Sequence, residues 1–397
     1  MPSVRVVFFF ALANSLANLL AEVFANEDFS LQKGMKIMET SQPIKNNFPL
    51  LDLTQYAASL FVILAHCDRL AENDFIHFFL KVCCARLAVP IFLIGSSYFF
   101  RLKQRQNTRY PGIFFKRQWK TYLFWSLIYL PYGILFIQDL GVPSNLYLAA
   151  LPVGLAYLGV CYHLWYFPAL FFGLWLVRKW LRHFNYPITF SICLLLFALG
   201  ATETYSGYLQ GTLIYDLYAF YNQIFMTTRN GLFYTPVFIL IGFFLADYLE
   251  GNHTFLQRHI PVKFGISLIL LGIETLIICL RQGDDKNFLF SLLPASLFLM
   301  ILLLRSNTLQ NRNFSHLRKS AQYLFFLHPA FLETTKWFLA RLGVQKFQGI
   351  PLFLITFVLT TLSIEILFLI KKRLAYRTIL PQIIQPENKF LSSRRKL

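Results

Sequence analysis

Asp52, Gln55, Ser59 and His66 lie in the run LDLTQYAASLFVILAH, residues 51–66, separated by three, four and seven positions. At 3.6 residues per turn those steps fall on one face of a helix. The rest of the run is apolar enough to enter a bilayer, so this polar row must face protein or a water-filled cavity. His66 ends the row, and histidine is the side chain that takes up and returns a proton near neutral pH. Two readings of His66 stay open at this level: a catalytic or binding group, or a helix-end residue at a wet interface. Arg86 in ARLAVPIFLIGSSYFF, His163 in YHLWYFPAL, and Arg229 with Asn230 in TRNGLFYTP each open another apolar run. A second histidine could support the first, and guanidinium and amide groups could hold an anion or a developing negative charge. Trp165, two residues after His163, offers a flat apolar face to a ligand.

Composition decides what kind of scaffold presents them. Of 397 residues, 56% are hydrophobic and only 14% are charged, against roughly 25% charged in soluble domains. The chain therefore reads as a polytopic, all-α membrane protein whose immediate partner is the lipid bilayer. The formal charge of +18 does not point to nucleic acid, because no basic, soluble-looking domain exists to carry it. No cysteine pair has metal-ligand spacing, and buried thiols are expected. A disulfide from Cys67 to Cys83 or Cys84 is the one pairing their shared depth allows.

Ten hydrophobic segments of about membrane-spanning length follow the N-terminal tail: 50–66, 84–101, 119–138, 163–181, 187–203, 231–249, 263–281, 287–305, 319–340 and 349–371. The apolar stretch 146–160 is broken by Pro152, Gly154 and Gly159 and reads as a re-entrant or surface segment. If the tail is cytoplasmic and the segments alternate, 27 Lys and Arg fall on inner stretches and nine on outer ones, Arg5 aside. That asymmetry is the positive-inside pattern and predicts ten spans with both termini of the core cytoplasmic. Residues 1–49 then form a tail with a signal-like or amphipathic helix, 50–375 the membrane domain, and 376–397 a basic cytoplasmic tail. This topology sets His66, Arg86, His163 and Arg229–Asn230, from four helices, at one outer depth. Each alone reads equally as an interface residue reaching for water. His328 lies deeper, before Pro329, where it could satisfy a carbonyl freed by the proline. Glu274 and Glu365 sit in apolar runs and need partners or protonation. The sequons at Asn252 and Asn313 fall on the inner side.

LDLTQYAASLFVILAH resembles the opening helix of the acyltransferase 3 family of integral membrane O-acyltransferases. AVPIFLIGSSYFF, YHLWYFPALFF, TPVFILIGFFLADY and YLFFLHPAF resemble four later family elements in the right order, so the likeness covers residues 50–375. It is closest to compact members without a fused soluble domain. The resemblance implies transfer of an acyl group, usually acetyl, from cytoplasmic acyl-coenzyme A to a hydroxyl of an extracytoplasmic or lipid-linked glycan. It implies no permanently bound cofactor, a cell-membrane location, and His66 as the catalytic histidine. The family's usual arginine maps onto Gln55, which hydrogen-bonds but carries no charge. Either Arg86 or Arg229 supplies the missing cation, or transfer is weakened. Ser96–Ser97 stand where the family has Ser-Gly.

The chemistry suits these residues. Thioester-to-hydroxyl transfer needs a base of near-neutral pKa and donors or cations for the tetrahedral oxyanion. Whether His66 acts as base or as a transient acyl carrier stays open. Basic residues 101–120 could attract coenzyme phosphates or simply set topology and touch anionic lipid. Two rival readings use the same polar row: a glycan transporter or flippase, and a non-catalytic protein that binds lipid-linked sugar.

Overall fold

A computed structural model describes residues 47–383 except 252, 345 and 346. The apolar run near the N-terminus, most of the basic tail, and Asn252 lie outside the described residues. The described chain folds into helices and turns, with no strand among the described residues. Among the described residues, the helices of 14 residues or more are α1 Pro49–His66, α2 Ala88–Gln106, α3 Tyr110–Ile128, α4 Tyr166–His183, α5 Tyr186–Gly200, α6 Thr235–Tyr248, α7 Ile260–Leu280, α8 Leu292–Arg305, α9 Ser315–Arg341 and α10 Ile350–Ile383, with shorter ones such as Leu130–Asp139 and Leu213–Phe225 between them. Each predicted segment overlaps a helix, though 163–165, 201–203, 231–234 and 287–291 lie outside one.

The starts are written locally. Proline occupies the first turn of α1, α3, α5, α6 and α7, where its missing N–H costs nothing and its fixed φ favours the helix. Asn185 caps α5 by accepting from the Ile188 N–H at 3.0 Å.

The ten helices are not ten equal spans. Among the described residues, three helical stretches are long and apolar enough to cross a membrane: Asp74–Gln106, Ile260–Leu280 and Ile350–Arg373. The predicted continuous segment 119–138 breaks at Tyr129 into Tyr110–Ile128 and Leu130–Asp139, bent by 62°. Pro131 explains the break, since it donates no hydrogen bond and crowds the preceding turn. If that bent pair is one span, the number is four. Helices α6 and α8 are 14 residues each, about 21 Å at 1.5 Å per residue. Their side chains are almost wholly buried, so protein rather than lipid surrounds them and bilayer thickness does not set their length. The predicted 146–160 segment is a short helix, Tyr147–Val153, followed by a wider turn, Gly154–Leu158, with Leu148 and Val153 exposed.

Helix α6 sits at the centre, flanked by α2, α4 and α5, while α9 packs between α1 and α10. Gly242 lets α6 approach α2: a Cβ there would collide with Ser97 Oγ and the Ile94 carbonyl. Small residues allow this kind of close helix contact inside membranes.

The connecting segments sort into two ends. At one, Arg101 grips Asp247 at 2.8–3.1 Å, Tyr186 Oη donates to Asp247 at 2.6 Å, Arg305 donates to the Leu249 carbonyl, and Asn47 reaches the carbonyls of Gln310 and Arg312. At the other, Asp284 N–H donates to the Glu203 carbonyl, Tyr218 to Asp284, Gly349 N–H to the Cys67 carbonyl, and Lys336 pairs with Asp68 at 2.7 Å. The first end gathers segments the charge pattern assigns to the cytoplasm and is called inner; the second is called outer.

All six cysteines are free, so the Cys67 pairing to Cys83 or Cys84 does not form. Glu274 finds its partners in Tyr205 Oη and the N–H groups of Phe290 and Ser291, each 2.7 Å, tying α7 to the start of α8. Glu365 is about half exposed, 3.5 Å from His316. Asn313 accepts from Ser315 N–H at the start of α9.

Candidate active site

The polar row of α1 points inward along its whole length. Asp52 is buried and meets Arg318 of α9 at 3.3 Å. Ser59, fully buried, donates to the Tyr56 carbonyl. His66 ends the row among aromatic rings at the outer end: Tyr162 at 4.5 Å between ring centroids and His328 at 5.7 Å, nearly parallel.

His163 completes a group of three imidazoles, 5.7 Å from His328 and edge-on to Tyr129 at 5.0 Å. The turn that delivers Tyr162, His163 and Trp165 starts at Gly159, whose φ is +77°. A Cβ there would run into the backbone of Leu164 and Trp165, so this conformation needs glycine. His163 is 2% exposed, and neither of its ring nitrogens has a hydrogen-bond partner among the described residues.

His328 joins His66 and His163, although sequence reasoning gave it only a local role. That local role is also present: Nδ1 lies 2.8 Å from the Leu324 carbonyl, one turn back. A carbonyl only accepts, so Nδ1 carries the hydrogen, and in a neutral ring the unpartnered Nε2 keeps its lone pair. Tyr162, whose ring packs on His66, was missed as well. No carboxylate hydrogen-bonds any of these three histidines among the described residues, so this is no Ser-His-Asp arrangement. No group of metal-binding side chains is found there either.

Arg86 and Arg229 flank this cluster on the outer side. The Arg229 guanidinium lies over the Trp165 ring, 4.8 Å from its centroid. Arg86 approaches Asp285 at 3.7 Å. The positive charges of Arg229, Arg86 and Lys81 act on His66. Asp285 sits in the outer loop between α7 and α8. Burial pushes its carboxyl up, but Arg229 and Arg86 outweigh that and hold it below the usual carboxylate range. Asn230 is occupied structurally: its carbonyl accepts from Leu232 and Phe233 N–H at the start of α6, and its amide donates to Tyr157 and Tyr221. Of the residues singled out from sequence, the fold thus gathers His66, His163, Trp165, Arg86 and Arg229 at one level. Asn230 stands beside them as a brace.

Gln55 lies elsewhere. Eleven residues before His66 on α1, it is about 16 Å below at helical rise. It lines a cavity of about 460 Å³ with Ser96, Arg117, Tyr166, Arg318 and Phe325. Arg117 and Arg318 belong to inner-end segments, whereas Tyr166 and Phe325 are one turn from His163 and His328. Phe325 both lines this cavity and packs edge-on to His163 at 5.3 Å. Its ring, with Tyr166 5.9 Å away, forms the partition between cavity and histidines. Ser96, where the resemblance showed a departure, hydrogen-bonds Tyr166 Oη at 3.2 Å.

A helical membrane bundle with a histidine cluster above an inner-facing cavity is the class this geometry defines. The chain belongs to the acyltransferase 3 family, whose acyltransferase domain matches residues 48–369. Among curated proteins it is similar to a serine/alanine racemase of Enterococcus gallinarum, 28% identical over 343 residues, covering 82% of this chain and 47% of the relative. Two amino-acid racemases of Enterococcus faecalis are 28% and 27% identical, each match covering 64% of this chain and 37% or 35% of the relative. The chain thus spans less than half the length of these relatives. No solved structure matches it.

Proposed function

We propose that this protein is a membrane O-acyltransferase that moves an acyl group, in the simplest case acetyl, from cytoplasmic acyl-coenzyme A to a hydroxyl of an acceptor at the outer face of the bacterial cytoplasmic membrane. Membership of the acyltransferase family supports the class of reaction. The observation that carries the rest is the cavity running from Arg117 and Arg318 up to Phe325, directly beneath the histidines. In this reading the two arginines hold coenzyme phosphates, the acyl thioester occupies the cavity, and the acceptor meets it at His66.

In the chemical step, an imidazole nitrogen takes the acceptor's hydroxyl proton while the oxygen bonds to the acyl carbon. The tetrahedral intermediate then collapses, the C–S bond breaks, and the imidazolium returns its proton to the departing thiolate. His66 is assigned this role, because it ends the inward row at the level of Arg86 and Arg229, which are placed to meet the developing oxyanion; His328 stacks on it and joins it to His163. If His66 carries the acyl group instead, the same cluster supports two successive transfers. The acceptor proposed is an extracytoplasmic or lipid-linked glycan.

The relatives' names concern amino-acid racemisation. Since this chain aligns with less than half of each, that activity is not carried over. A transporter or a sugar-binding protein would use the same cleft without breaking a thioester. The deciding experiment combines acyl-coenzyme A consumption by the purified protein with mass spectrometry of surface glycans from cells with and without it. Free thiol release together with a one-acyl mass difference supports transfer. Absence of both, in protein that still binds its glycan, overturns it.

A further inference from the structure

We propose that Arg86 and Arg229 form an oxyanion-recognition subsite, so that the acceptor brought to His66 carries a phosphate or carboxylate near its reacting hydroxyl. The identity of the bound molecule as an acceptor rests on the acyl-transfer reading; the binding of an anion does not.

The argument begins with unmatched charge. Arg86 has one acidic neighbour, Asp285, at 3.7 Å, which is beyond hydrogen-bonding distance. Arg229 has no carboxylate within ion-pair distance among the described residues, and its guanidinium rests on Trp165. The Nε of each is buried without a partner. Asp285 is further committed to the Lys286 N–H and to Asn287. Two other acids of this layer are also engaged. Glu203 accepts from Thr227 Oγ1 and from both the N–H and Oγ1 of Thr228. Asp284 accepts from Tyr218. Two largely enclosed guanidiniums therefore share one carboxylate, and Lys81 adds positive charge nearby.

Keeping a surplus cation out of water is costly unless something pairs with it. At the inner end Arg101 receives a bidentate carboxylate from Asp247. The outer pair receives nothing equivalent. A guanidinium presents a planar fork of donors that matches carboxylate and phosphate oxygens. The Trp165 ring covers one face of Arg229 and leaves its edge for such a group. The Ala85–Leu87 turn that carries Arg86 packs against α1, the helix that ends in His66, so an anion seated on the pair is held at the end of the bundle where a ligand's hydroxyl would be delivered.

The test uses the full-length protein in detergent or nanodiscs, without acyl-coenzyme A. Inorganic phosphate, N-acetylglycine and the neutral N-acetylglycinamide are titrated in turn. Trp165 emission, isolated by subtracting the Trp165→Phe protein, and calorimetry report binding. Saturable binding of phosphate or N-acetylglycine but not the amide is expected, and the stronger of the two anions identifies the headgroup class. Arg229→Gln and Arg86→Gln should each weaken it at least tenfold. Arg229→Lys, which keeps charge but loses the fork, should fall between. Arg69→Gln, at an exposed arginine paired with Asp74, should bind as wild type. No saturable anion binding, equal binding of the amide, or wild-type binding by Arg229→Gln would each overturn the proposal. If a substituted protein does not fold, the wild-type comparison of anion with amide still decides. Anion binding without thioester consumption would leave the subsite standing and remove the transfer reading. Transfer to neutral acceptors without anion binding would do the reverse.

Discussion

Arg101 and Arg229 stand at opposite ends of the bundle. Arg101 donates from two nitrogens to Asp247, which also takes Tyr186, while the neighbouring Arg105 donates to the Ala246 carbonyl. Arg229 has an aromatic face and a shared carboxylate that lies closer to Arg86. The inner network joins α2, α5 and α6 and spends its charge on holding them together. The outer layer is built on equally firm backbone, with Asn230, Thr228 and Glu203 bracing it, yet leaves guanidinium and imidazole nitrogens unspent. Where polar groups are saturated they act as structure. Where a well-braced region leaves them unsaturated, they are available for a ligand.

That contrast can be broken most decisively by orientation. In a cysteine-free background, Cys at Asn107 or Asn311 should resist a membrane-impermeant thiol reagent in intact cells, and Cys at Asn145 or Gln210 should react. Reversal of the pattern would exchange the donor and acceptor sides.

The next effect is chemical. His66→Gln keeps a hydrogen-bonding side chain but cannot take up a proton. Acyl transfer should fall by about 10²-fold or more, the contribution of a positioned base, while thermal unfolding stays near wild type. Near-normal transfer by this variant would remove both the base and the carrier roles. His328→Gln should cost less, about tenfold, because it perturbs the partner ring and the Leu324 contact rather than the reacting group.

The inner cavity should respond in binding instead. Arg117→Ala is expected to raise KM for acyl-coenzyme A about fivefold with little change in kcat, as for loss of uniform binding. The effect should shrink as ionic strength rises, because the side chain is exposed and its field is screened. A fall in kcat alone would move Arg117 out of the donor site. Smallest is Gln55→Arg, which should lower KM for acyl-coenzyme A about twofold, since a third cation in the cavity attracts phosphate. A loss of activity would mean the cavity is fitted to the amide.

Much of this was legible in the sequence, for identifiable reasons. The row from Asp52 to His66 showed itself because helical period turns spacing into a face. The outer depth of Arg86, His163 and Arg229 followed from charge alternation. His328 was obscured because Pro329 already offered it an occupation. Only the packing of α9 against α1 shows that one imidazole can serve a helix carbonyl and a cluster together. Asn230 was read as a ligand group because a residue's polarity does not reveal whether nearby N–H groups have claimed it. The break at Tyr129 had its signal in Pro131. The shortness of α6 and α8 had none, because an apolar run looks the same whether lipid or protein surrounds it.

The Phe325 partition has a consequence for the membrane itself. His66 and His163, each 5.7 Å from His328, are the ingredients of a proton wire, and the cavity lies one aromatic ring away. A leak there would drain the gradient that the cell maintains across this bilayer. Phe325 and Tyr166 are placed to act as insulation, and in the acyl-transfer reading an acyl group would pass by displacing the Phe325 ring for the duration of one transfer. Proteoliposomes carrying Phe325→Ala are expected to lose a pH gradient faster than wild type, even with no donor or acceptor present.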